Sequence, residues 1–317
     1  MKRLFVSALC AAACMASAAH ASRSTLNYTS LTVFGDSLVD AGNLFILTDG
    51  AIPPASLGYF EGRFTNGYDF TDLLSLDLFG TPTTASLAGG TNFAFGLARA
   101  TTTSIVPDLA EQFAAHQAWL SGGHMVDANG LYVMTFGAND IFNLPDGYPS
   151  NDDALRAAAH NIAAGVQSLN DIGVRNILLT DFPLGGAHLA DSLAANAYLT
   201  AELAGLSLDA DTTLMRFGML DFLGRVLTDP DSFGLPPISP ISDCITDNAQ
   251  ATGCVGYLYF DGTHPTAAIQ AAAYRDMDRQ FGLFTAVPEP ASWMMLIAGF
   301  ALTGTVLRTR SRRIAFA

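Results

Sequence analysis

Positive charge is what this sequence has least of. Its 317 residues hold 15 lysines and arginines against 29 aspartates and glutamates, and Lys2 is the only lysine. So acidic a surface repels phosphate backbones, which excludes a nucleic-acid partner and argues against tight electrostatic docking on anionic lipid, while leaving neutral substrates open. Cysteine is scarce too: of four, Cys10 and Cys14 lie in the first apolar run, and Cys244 and Cys254 stand ten positions apart in a Pro- and Asp-rich stretch. No Gly-rich phosphate loop or dinucleotide fingerprint occurs, so no cofactor is expected. His116, His124, His160 and His188 share no spacing with one another or with carboxylates that makes a metal site, and each reads as surface or core. Repeats and charge blocks are missing as well, which points to one principal domain.

The two ends are of a different character. Met1-Lys2-Arg3, an apolar small-residue run from Leu4 to Ala18, and Ala19-His20-Ala21 have the layout of a secretory leader, expected to be removed after residue 21. The run is too short and alanine-rich for a good membrane span, and the residues before Cys14 lack the branched aliphatic of a lipoprotein signal. At the other end Val287-Pro288-Glu289-Pro290 precedes 17 largely apolar residues, Ala291 to Leu307, and then Arg308, Arg310, Arg312 and Arg313. That length is the lower limit for a bilayer-spanning helix, and the arginines mark a cytoplasmic flank. The arrangement resembles the PEP-CTERM sorting signal of Gram-negative bacteria, which implies recognition and cutting by an exosortase-like enzyme after transient membrane anchoring through residues 287–317. A permanent C-terminal anchor is the alternative, and either places the domain outside the cytoplasm: periplasmic, at the cell surface or extracellular. Six of the 15 basic residues and one of the 29 acids lie in these ends, leaving 9 basic against 28 acidic residues between them. In an oxidising compartment Cys244 and Cys254 are expected to form a local disulfide rather than bind zinc.

Residues 22–286 are long enough for one sizeable core. Short apolar runs bounded by turn residues, Leu31 to Phe34, Asn92 to Phe95, Leu131 to Phe136 and Asn176 to Leu179, read as strands buried on both faces. Between them Asp152 to Ile172 carries Leu155, Ala159, Ile162, Val166 and Leu169 at helical spacing and stops at Gly173. Ala190 to Leu227 reads as further helix, broken near Gly205 or Gly218, Thr266 to Phe281 as the last helix, and Pro230 to Val255 as an irregular insertion at the surface near the site. Alternating strands and helices predict a mostly parallel sheet covered on both sides, a three-layer α/β/α domain.

In such sheets ligands bind past the carboxyl ends of strands, and four segments there carry chemistry. Phe34-Gly35-Asp36-Ser37 puts a serine on a strand-to-helix turn, where backbone N–H groups surround it and suit a nucleophile. Phe260-Asp261-Gly262-Thr263-His264-Pro265 sets a carboxylate three residues before a histidine across a tight turn, an offset that can bring Asp261 beside the ring of His264 and steady the imidazolium. Asn92 to Ala98 and Phe136 to Asp140 offer donors for an oxyanion: the N–H of Gly96 and the side-chain amide of Asn139, with the N–H of Ser37. Singly each segment is an ordinary turn. Together, in this order, they resemble the blocks of the GDSL family, or SGNH hydrolases, whose phospholipase, lecithinase and hemolysin-type branch also shows Gly-Arg-Phe-x-Asn-Gly, here Gly62 to Gly67. The resemblance implies a flavodoxin-like three-layer α/β esterase or lipase with Ser37 as nucleophile, His264 as general base and acid, Asp261 as orienter, and Ser37, Gly96 and Asn139 as oxyanion donors. Family members often carry a second glycine where this chain has Leu97. A leucine has a backbone N–H too, so the donor can sit at either residue.

The function expected is therefore hydrolysis of a carboxylic ester, a lipid or another acyl ester, through an acyl-enzyme. O-deacetylation of a surface polysaccharide uses the same triad, and a non-catalytic surface or matrix protein that keeps the fold is the reading from outside enzymology. Acyl length, alcohol portion and the balance of hydrolysis against transfer are not legible in the residues.

Overall fold

The apolar run ahead of Gly-Asp-Ser forms strand β1 (Leu31–Gly35), and every residue in it is buried. In the computed structural model, which describes residues 28–283 apart from 103–104, 143–146 and 240–241, three further strands follow beside it: β2 (Leu131–Thr135), β3 (Asn176–Thr180) and β4 (Thr213–Phe217). They pair in the order β1-β2-β3-β4, all parallel, with Val33 level with Val133 and Leu178. Alternate side chains point to opposite faces. Phe34, Tyr132, Met134, Ile177 and Leu179 share one, while Leu31, Val33, Leu131, Val133 and Leu178 share the other, and all ten are buried.

The helices are α1 (Asn43–Leu47), α2 (Phe70–Phe79), α3 (Leu109–Ser121), α4 (Ala138–Phe142), α5 (Asn151–Asp171), α6 (Leu189–Ala204), α7 (Met219–Thr228) and α8 (Ala267–Phe281). Helix α5 starts where the Ser150 side chain accepts the Asp153 N–H, and it lays Leu155, Ile162, Val166 and Leu169 into one core with Phe34, Met134 and Ile177. Leu109 of α3 and Ala195 and Leu199 of α6 complete that layer. Full burial of a Leu, Ile or Val side chain contributes about 1.5 to 3 kcal/mol each, so this stripe is a principal source of stability. Towards the other face, Phe222 of α7 lies 5.6 Å from Phe217 of β4, centroid to centroid, and α2 packs on α8. The expected three-layer α/β architecture with a parallel sheet is what the chain adopts.

Two elements differ from expectation. Residues 92–95 are no strand: Val33 and Phe95 bond across to this segment and to β1, but the Asn92 side chain accepts the Ala94 N–H and gives its own amide to Val39, so the chain bends after one bridge. Within 190–227 lies the strand β4 rather than a broken helix. It is an edge strand in which Met215 and Phe217 point inward while Thr213 is exposed, and the polar Arg216 between them hides the apolar pattern. The irregular stretch after Pro230 contains, among the described residues, the 3₁₀ turns Pro230–Phe233 and Gln250–Thr252 and an isolated bridge from Ser239 to Tyr257. Its Cys244 and Cys254 are disulfide-bonded, with Cα atoms 5.3 Å apart. The leader expected over 1–21 and the Pro-Glu-Pro tail over 287–317 lie outside the described residues; among those described, no helix is long and apolar enough to cross a membrane.

Candidate active site

Gln112 of α3 clamps the end of β1: its amide donates to Gly35 O at 2.8 Å and its carbonyl accepts the Gly35 N–H at 2.9 Å. The chain then turns through Asp36 and Ser37. Buried Asp40 holds this turn in place by accepting the N–H groups of Gly42, Asn43 and Leu44, at the start of α1, and of Gly96 at 2.7 Å. Ser37 is thereby left half-exposed on the floor of a cavity of about 250 Å³ whose walls include Phe64, Leu97, Asn139 and His264.

The histidine arrives on the loop before α8. His264 Nε2 lies 2.7 Å from Ser37 Oγ, and its Nδ1 lies 2.7 Å from Asp261 Oδ2. Asp261 also accepts the N–H groups of Thr263 and His264 on Oδ1 and the Tyr59 hydroxyl on Oδ2 at 2.6 Å. Burial pushes this carboxyl up, but the hydrogen bond and charge of His264, with Tyr59 and the His264 amide, outweigh it and hold it down at about 2. An ionised carboxylate only accepts, so in the neutral ring Nδ1 carries the proton and Nε2 faces the serine hydroxyl as acceptor. The Gly62–Gly67 segment braces the same loop. Phe64 sits 5.1 Å from the His264 ring, Thr65 Oγ1 donates to Pro265 O at 2.8 Å, and Asn66 Oδ1 accepts the Ala267 N–H at 2.8 Å, capping α8. Arg63 locks the segment through two 3.0 Å bonds to buried Asp72.

The oxyanion side corrects one expectation. Gly96 does not line the cavity, and its N–H is occupied by Asp40. A Cβ there would meet Phe64 at 2.4 Å, so the glycine is required for packing. Leu97 follows with φ of 71°, a left-handed value that glycine adopts readily and leucine rarely. It lines the cavity, and among the described residues no hydrogen-bond acceptor meets its N–H or that of Ser37. Asn139, on α4, gives one amide N–H to Ala98 O at 2.9 Å and has a second for the cavity.

The model of the family described as GDSL-like lipase/acylhydrolase matches residues 31–277. The chain belongs to that family. Among curated proteins it is similar to a phosphatidylcholine-sterol acyltransferase of Aeromonas hydrophila, 28% identical over 295 residues that cover 88% of this chain and 81% of the relative. A solved structure of a carbohydrate esterase, whose active site displays divergent catalytic and non-catalytic binding functions, matches 81% of this chain and 70% of its own at 11% identity, with a TM-score of 0.41. Against the GDSL-like pattern, Tyr59 is the site residue with no assignment from sequence, and Leu97 the alternative to Gly96 as donor. Tyr59 stands 202 positions from Asp261 and carries no motif of its own. Leu97 was visible only as a departure. The remaining histidines stand apart: His116 is buried among Phe34, Phe93 and Tyr132, His124 stacks on Trp119, His160 meets Glu202, and His188 lies edge-on to Phe142.

Proposed function

We propose that this GDSL-like protein is a serine esterase that cleaves carboxylic esters through an acyl-enzyme on Ser37. The observation that carries the reading is the unbroken line from Asp261 through His264 to Ser37, with both links at 2.7 Å. Ser37 Oγ attacks the acyl carbon while His264 Nε2 takes its proton. The charge that develops on the carbonyl oxygen is met by the N–H groups of Ser37 and Leu97 and the amide of Asn139. Asp261, held ionised, steadies the imidazolium, which then gives its proton to the departing alcohol. Water attacks the acyl-enzyme by the same proton path in reverse. A second reading, transfer of the acyl group to an alcohol in place of water, is favoured by the acyltransferase that resembles this chain over most of its length.

The test is hydrolysis of p-nitrophenyl esters by the folded protein and its Ser37→Ala variant. The expected result is turnover that falls at least about a thousandfold in the variant, with fluorophosphonate labelling lost. A folded protein that neither turns over esters nor takes the label overturns the proposal. The cellular setting proposed with it rests on the ends of the sequence: export by a leader of residues 1–21, an active domain of 22–286 outside the cytoplasm, and a tail cut by an exosortase-like enzyme. The intact mass of the mature protein tests both cuts.

A further inference from the structure

The cavity over Ser37 does not end there. Phe142, Leu184, Leu223, Tyr259 and Thr263 line it and also line a larger groove of about 940 Å³, between the start of α6 and α7. The groove carries Leu189, Leu193, Leu220 and Leu227, of which Leu193 is 56% and Leu227 40% exposed, an amount of bare aliphatic surface that calls for an occupant. Its polar side chains offer little to a sugar or a peptide. Asp181 accepts the Met219 N–H at 2.8 Å, Asp221 pairs with Arg225 at 2.8 Å, and Asn196 bonds both backbone groups of Phe182. The smaller cavity falls short of the range of about 300 to 1,000 Å³ usual for organic ligands, and the two together reach beyond it.

Granting the esterase reading, we infer that this groove receives the acyl chain of the substrate, and that the protein is built for long-chain esters. The shared waist opens beside Phe142, on the same short helix as the oxyanion donor Asn139, whereas Phe64 and Pro265 flank the imidazole that protonates the departing alcohol. An acyl chain leaving Ser37 past Leu184 and Leu223 meets a largely aliphatic lining, in which His188, Tyr259 and Thr263 are the further polar side chains. Each methylene it buries adds to binding in proportion to the area removed from water.

The experiment compares monomeric p-nitrophenyl acetate, butyrate, octanoate and laurate with octyl and dodecyl acetate, for the native protein and for L193Q/L227Q. Both leucines are exposed and neither lines the cavity over Ser37, so the variant is expected to fold, which circular dichroism checks, and its loss on laurate is read relative to its own acetate turnover. The expected kcat/KM rises up to about fourfold per acyl methylene once the chain passes the waist, and the variant lowers the laurate value about tenfold. A flat acyl profile, a profile that follows alcohol length, or a laurate preference untouched by the variant overturns the inference while acetate turnover upholds the esterase. Absence of all Ser37-dependent turnover overturns both.

Discussion

Leu97, whose N–H is proposed above as a donor, holds a backbone conformation that costs a leucine about 1 to 2 kcal/mol, at a position that lines the cavity. The strain belongs to the donor, not to the side chain. Leu97→Gly is therefore expected to keep turnover of short esters within about threefold, because the N–H stays. Relief of the strain offsets the greater freedom of the unfolded chain, and the melting temperature holds. Asn139→Ala removes a donor outright, and kcat is expected to fall about a hundredfold to a thousandfold with KM little changed. Steady-state kinetics on acetate and butyrate esters check both; a Leu97→Gly enzyme as damaged as Asn139→Ala shows that the leucine side chain, and not its N–H alone, serves turnover. That Ser37, Asp261 and His264 come together was legible from their chain neighbours: a serine just past a strand, and a carboxylate three residues before its histidine. That the Gly96 N–H is taken was not legible, since the acceptor is Asp40, more than fifty positions away in sequence.

Among the elements, the loop from Tyr257 to Pro265 has the least secondary structure and the most chemistry. Cys244 N–H and Ile245 N–H donate to Tyr259 O and Phe260 O, and the disulfide packs directly beneath Phe260. The insertion thus backs the loop that carries Asp261 and His264, and none of the described residues in 230–255 lines the cavity. A disulfide with a sequence separation of 10 is worth about 3 kcal/mol by loop-closure entropy. The double replacement of Cys244 and Cys254 by alanine is expected to lower stability by that order in urea unfolding, and to lower kcat of the still-folded enzyme as Asp261 and His264 lose their backing. An unchanged kcat would separate the staple from the site. Helix α5 was readable from periodicity, and strands β1, β2 and β3 from the apolar runs that near-uniform burial leaves. Strand β4 was not, because an edge strand shows one apolar face, and Met215 and Phe217 alternate with residues that read as well in a helix.

For the molecule as a whole, buried titrating groups set how stability follows pH. Burial raises Asp36 to about 7, only partly countered by the Leu38 N–H and the charge of His264, and raises Asp181 to about 6. The folded chain holds these protons where the unfolded chain releases them, so stability falls as pH rises from about 4 to about 7. His116, pushed down to about 4 by burial, acts oppositely: its contribution is complete above the ordinary histidine value and is lost as pH falls towards 4. Asp261, depressed to about 2, adds stability that disappears only in stronger acid. Thermal unfolding across this range is expected to show a midpoint higher near about pH 5 than near about pH 8, and Asp36→Asn is expected to flatten the decline. A midpoint that climbs steadily to alkaline pH contradicts the assignment. The distance along the chain between Ser37 and His264, 227 positions, has one more consequence. A nascent chain emerging from the ribosome displays Ser37 early and acquires His264 almost last, so the proposed chemistry is closed to it until its synthesis is nearly complete.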